Sequence, residues 1–128
     1  MKMRNKNYLI LVITLIISIC VLLASCFNPL GEREYLDDLY IDIPDTEYQL
    51  LIKEWQYLLG SGAEVYFVDD ANKKTIHLGN TSGGDDGFCP FQSGKYSIAY
   101  NEGTVTLCWS LNGSENYTQS ESFILPSD

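Results

Sequence analysis

Four cysteines and one histidine are the side chains in this sequence with the most chemistry to offer. A thiol can be acylated, oxidised, bound to a metal or used as a nucleophile, and its surroundings decide which. Cys20 and Cys26 lie in or just beyond an uncharged apolar run, whereas Cys89 and Cys108 lie in the C-terminal half. No Cys-x-x-Cys or paired histidine occurs, so Cys89, Cys108 and His77 lack the ligand spacing of a zinc site. No Gly-x-Ser-x-Gly is present, and His77 sits in a β-forming run without a motif around it. It reads as a sheet residue and not as a general base. The paired acids Asp69-Asp70 and Asp85-Asp86 occupy turn-like stretches. Calcium takes six to eight oxygens, and a Gly-rich acidic loop can supply some of them, though EF-hand spacing is absent. Asn80, Asp85 and Asp86 are therefore the candidate ligand- or calcium-binding loop. No constellation here points to an enzyme, a cofactor or a dedicated metal centre.

Cys26 is set apart by what precedes it. Lys2, Arg4 and Lys6 are followed by Tyr8 to Leu23 without a charge, and then by the small residues Ala24 and Ser25. A basic start, an apolar run and a small-residue cut site describe a secretory signal. The stretch Leu23-Ala24-Ser25-Cys26 resembles the lipobox of bacterial lipoproteins. That resemblance implies a diacylglycerol on the Cys26 sulfur, cleavage before it and acylation of the new amine. Residues 1–25 would then be a signal peptide, and the rest would be lipid-anchored on the extracytoplasmic face of the cell membrane. Each buried CH₂ contributes about 0.8 kcal/mol, so two or three acyl chains hold where one barely does. The alternative is an uncleaved signal anchor. Tyr8 to Leu23 alone would make about 24 Å of helix against a hydrocarbon core of about 30 Å, so the span would have to extend to Phe27.

Residues 1–25 carry three of the eight basic residues and none of the seventeen acids, which leaves residues 26–128 at a net charge of −12. That surface argues against nucleic acid and against electrostatic docking on anionic lipid. It suits a basic protein partner, or solubility alone. With Cys26 consumed by lipid, an exported domain would keep one even pair, and Cys89 and Cys108 are expected to form a disulfide. The loop closed is about 20 residues, worth about 3 kcal/mol in the chain-entropy account.

The elements that would position these residues can be read from periodicity. Residues 26–43, rich in acids and containing Pro29 and Gly31, read as a tether. From Asp45 or Thr46 to Leu59 the spacing of Tyr48, Leu51, Ile52, Trp55, Leu58 and Leu59 predicts an amphipathic helix stopped by Gly60. Glu64 to Val68 and Lys74 to Leu78 read as a hairpin, and Gly79 to Gly94 as one long irregular loop. Tyr96 to Tyr100 and Thr104 to Leu111 form a second hairpin. With Glu102-Gly103 as its turn, Tyr100 faces Val105, Ile98 faces Leu107 and Tyr96 faces Trp109, which puts every large apolar side chain on one face. Tyr117 to Leu125 supplies a last strand. The fold class is α+β: a hydrophobic signal segment, then a domain over 44–128 with one amphipathic helix on a four- to five-stranded antiparallel sheet. A small β-barrel or sandwich with the helix at one end is the runner-up.

The functional expectation is a membrane-anchored exported lipoprotein whose acidic domain is a binding or interaction module. Its contact surface would be the Asn80 to Phe91 loop with nearby tyrosines. The alternative is an inhibitor of a basic exported enzyme such as a wall-degrading lysozyme. Membrane-bound lysozyme-inhibitor lipoproteins are similar in size, acidity and disulfide use. Ser93-Gly94-Lys95-Tyr96 resembles their Ser-Gly-x-x-Tyr element, one residue short.

Overall fold

The computed structural model describes residues 2–127, with side chains described for 5–23 and 32–127. The chain divides into two units, Met1–Glu32 and Arg33–Asp128. The first is a single helix, α1 (Lys2–Gly31). Its segment Asn5–Leu23 is long and apolar enough to cross a membrane by length and composition, and none of it is buried. Nineteen residues rise about 28 Å, close to the thickness of a hydrocarbon core. The two aliphatic hydroxyls in the run bond back into the helix. Thr14 Oγ1 donates to the Ile10 carbonyl at 2.8 Å and Ser18 Oγ to the Thr14 carbonyl at 2.9 Å, so neither is left for apolar surroundings to penalise.

The second unit is built from strands. β1 (Glu34–Tyr35), β2 (Leu39–Asp42), β3 (Gln49–Tyr57), β4 (Gly60–Asp69) and β5 (Lys74–Ser82) form one antiparallel sheet, in which β1 and β2 both pair with β3. β6 (Tyr96–Asn101), β7 (Thr104–Trp109) and β8 (Gln119–Ile124) form a second, and a short 3₁₀ turn at Asp85–Gly87 lies between them in sequence. The two sheets share one core. Leu50, Ile52, Ala63, Val65 and Phe67 project from the first, with Val105, Leu107, Trp109 and Phe123 from the second. Ile41 and Ile43 also belong to it, and Phe91 packs its ring at a tilt against Trp109 and Tyr96 from the intervening loop. The chain as a whole is α+β, with an apolar N-terminal helix and two antiparallel sheets.

The amphipathic helix expected between Asp45 and Leu59 is not formed; those residues make β3 and the turn into β4. Two features imitate a helix. Glu54 occupies an inward strand position between Ile52 and Gln56, so the apolar alternation is broken where a strand reading needs it. Leu58 and Leu59, which complete the helical stripe, are turn residues. The tether also ends earlier than expected. Glu34-Tyr35 and Leu39–Asp42 are sheet, with Ile41 and Ile43 buried in the core.

The C-terminal register is as the alternation requires: Tyr96 pairs with Trp109, Ile98 with Leu107 and Tyr100 with Val105. Glu102 and Gly103 turn the chain at φ 47° and 85°. Both are left-handed, the conformation that matches the twist of a two-residue hairpin. The Gly79 to Gly94 segment is only partly irregular, because Gly79 to Ser82 continue β5.

Candidate functional site

The expected site residues are scattered. Cys26 lies outside the residues whose side chains are described. Cys89 and Cys108 are free thiols, so the expected disulfide between them is not made. The reason is the path of the loop. Cys108 faces outward on β7, in register with Ser97 and Ser120. The glycine-rich loop does not fold back over that face but packs at the β3–β4 end, where Cys89 Sγ is 3.6 Å from both Gln56 Oε1 and the Gly87 carbonyl. Burial, and then the charge of Glu54, push the Cys89 thiol up to about 11. Asn80 lies on β5, paired with Glu64 in the ladder, and its Oδ1 is 3.1 Å from His77 Nε2. Asp85 and Asp86 lie in the 3₁₀ turn, where Asp86 is left-handed at φ 53°. Among the described residues no three of His, Cys, Asp and Glu gather as they would around a metal ion. His77 is exposed beside the Tyr66 ring, on the open outer face of the sheet.

Glu54 lies off the apolar stripe of the expected helix, yet on β3 it faces the interior. It is 1 % exposed. Its carboxylate accepts the Phe91 amide at 3.1 Å and the Gln92 amide at 2.8 Å. These are free donors at the start of a turn in which Ser93 N donates to the Cys89 carbonyl and Gly94 N to that of Phe91. The acid acts on the turn as a cap acts on a helix. Burial raises the Glu54 pKa, and the two amide bonds only partly oppose it. Its role is to fix the loop, since burial leaves its carboxylate no open face for a substrate.

A second clamp holds the same loop. Ser61 Oγ donates to the Phe88 carbonyl at 2.6 Å and accepts the Gly84 amide at 3.0 Å. Asp85 N donates to the Leu111 carbonyl at 2.7 Å. The 3₁₀ turn is thereby seated against the β3–β4 hairpin, with the Gly87 α-carbon next to the carbonyls of Tyr57 and Gly60.

That hairpin presents the most apolar exposed surface of the domain. Leu58 and Leu59 are its two-residue turn, 70 % and 72 % exposed, with Tyr57 at 37 %. Tyr35 pairs with Trp55 across the β1–β3 ladder, and Trp55 stacks on Tyr57 at 5.8 Å between ring centres. The rings lie flat because their β4 partners are glycines. Trp55 covers Gly62, and a β-carbon on Gly60 would lie 2.7 Å from Tyr57 Oη. The Arg33 guanidinium sits 4.1 Å from the Trp55 ring centre, a cation–π contact that fixes where the chain joins the sheet. Apart from Tyr40 and Ile124, every exposed large apolar side chain among the described residues of this domain belongs to this end. The arrangement offers an exposed apolar contact surface at this end of the sheet. No family model matches the chain, and neither a curated protein nor a solved structure matches it.

Proposed function

We propose that this protein is a membrane-tethered exported lipoprotein, held through lipid on Cys26, whose acidic β domain is an interaction module outside the cell. The observation that carries the reading is the helical segment Asn5–Leu23, uncharged from Tyr8 onward, unburied and near membrane length, whose last residue opens Leu23-Ala24-Ser25-Cys26. The separate core of Arg33–Asp128 supports it, because such a domain keeps its own fold whether the helix is cleaved away or retained. Inhibition of a basic exported enzyme is a narrower version of the same role.

The test is expression of the full chain in a bacterial host with labelled palmitate. Wild type should be processed, take up label and partition into detergent, while Cys26→Ser should remain an unlabelled precursor. Equal size and no label in both would leave a signal anchor and refute lipidation. Affinity capture with the full chain from envelope and secreted proteins then separates a single basic hydrolase from other partners.

A further inference from the structure

We infer that the Tyr57–Gly60 hairpin tip enters the surface of the bilayer that holds the chain, with Leu58 and Leu59 among the lipid tails and Tyr35, Trp55 and Tyr57 at headgroup level. The inference rests on the membrane-tethered reading and adds the surface through which the domain sits on its membrane.

Three observations meet here. The first is turn chemistry. A two-residue hairpin favours Asn, Asp and Gly, because its twist asks for left-handed residues. The other tight turns of this domain obey: Glu102-Gly103 is left-handed, as are Lys73 after Asp70-Ala-Asn and Asp45 after Pro44. Leu58 and Leu59 adopt no left-handed conformation and gain nothing as turn residues, yet they are largely exposed to solvent. Something other than the fold therefore favours leucine there. The second is composition in depth. Leucines at the extremity, a tyrosine–tryptophan belt behind them and an arginine on the tryptophan face are the order in which side chains partition across a membrane interface.

The third is chain geometry. Glu34 pairs with Gln56 and Tyr35 with Trp55, so the chain joins the sheet beside the tip and runs away from it. Only residues 27–33 separate Cys26 from Glu34, and fully extended they reach about 28 Å. A lipid on Cys26, or the helix itself in the bilayer, keeps this end of the sheet near the lipid surface. The opposite end, the β4–β5 turn around Ala71, lies about 30 Å further along β4 at the rise of a strand. Glu34, Asp85 and Asp86 flank the tip, so the lipid it enters most readily is zwitterionic.

The full chain in phosphatidylcholine vesicles with brominated acyl chains tests this directly. Leu59→Trp should show bromine quenching in excess of wild type, Ala71→Trp none in excess, and adding Leu58→Asp to Leu59→Trp should abolish the excess. Both tryptophan positions are exposed turn residues, so neither substitution threatens the core. Flotation with the vesicles reports the tether separately. A chain that floats while Leu59→Trp is quenched no more than Ala71→Trp overturns the inference and leaves the tether standing. Leu59→Trp emission that is blue-shifted yet unquenched would put the tip on protein, and also overturns it. A chain that does not float overturns the tethered reading, and this inference with it.

Discussion

Replacing Glu54 with glutamine should change how stability depends on pH, and the sign can be worked out from its surroundings. The carboxylate is buried and accepts two backbone amides, Phe91 and Gln92. Glutamine offers one oxygen and one NH₂, so one amide keeps its acceptor and the other faces a donor. An orphaned buried amide costs about 1–3 kcal/mol. That term does not vary with pH. The titrating term does. Because burial raises the Glu54 pKa above its ordinary 4.5, the fold binds the proton more tightly than the unfolded chain does. Its contribution is fully present below about pH 4.5 and is lost as pH rises through the raised folded value. Each tenfold weakening of the acid in the fold removes about 1.4 kcal/mol.

The other carboxylates are common to both proteins, so the gap between wild type and Glu54→Gln isolates this group. It should be widest at acid pH and narrow as pH rises. Urea unfolding of the full chain in non-ionic detergent, followed by fluorescence of Trp55 and the buried Trp109, measures it at each pH. Hydrogen exchange at the Phe91 and Gln92 amides should show protection lost in the variant. A gap that widens with pH would mean that the amide bonds outweigh burial and depress the pKa, which would refute the reasoning.

Thr81 Oγ1 is buried with no hydrogen-bond partner among the described residues. Thr81→Val exchanges that hydroxyl for a methyl and should stabilise the domain by about 1 kcal/mol, visible as a raised urea midpoint. Maleimide at neutral pH should modify Cys108 in the native chain and spare Cys89, whose thiol is buried and held up near 11; the reverse order would misplace the loop. Gly62→Ala drives a β-carbon into the Trp55 ring, and should cost about 1–3 kcal/mol and alter the near-ultraviolet dichroism of that tryptophan.

The parts of this fold that were legible obey a single period without exceptions. In β6 and β7 every second residue is large and apolar and the turn is Glu-Gly, so the register followed from pattern alone. β3 was illegible for a physical reason. Its inward positions run Leu50, Ile52, Glu54, and a buried acid that serves distant amides looks like an exposed one until the loop it caps is placed. The outward positions carry Leu51 and Trp55, which the neighbouring strands and glycines cover. The cysteine pairing failed on a related point. Parity says nothing about where a glycine-rich loop lies, and the Ser61 and Glu54 clamps draw it to the far end of the other sheet. The apolar tip is hidden in the sequence because Leu58 and Leu59 complete a helical stripe.

A charge of −12 on residues 26–128 opposes approach to an anionic membrane, yet distance and geometry decide how much it matters. At physiological salt an exposed charge acts over about 8 Å. A tether of seven residues permits about 28 Å, several screening lengths. Most of the acids therefore sit beyond the reach of a surface potential while the domain stays tethered. The charges that count are those within a screening length of the point of contact, and the ladder between β1 and β3 puts the end bearing Leu58 and Leu59 beside the place where the tether joins the sheet. There the exposed acids include Glu34, Asp85, Asp86 and, on the tether itself, Glu32, with Arg33 beside the Trp55 ring. Contact is thus governed by two leucines and an aromatic belt against a small local charge. Raising salt should strengthen it on anionic lipid and leave it nearly unchanged on phosphatidylcholine.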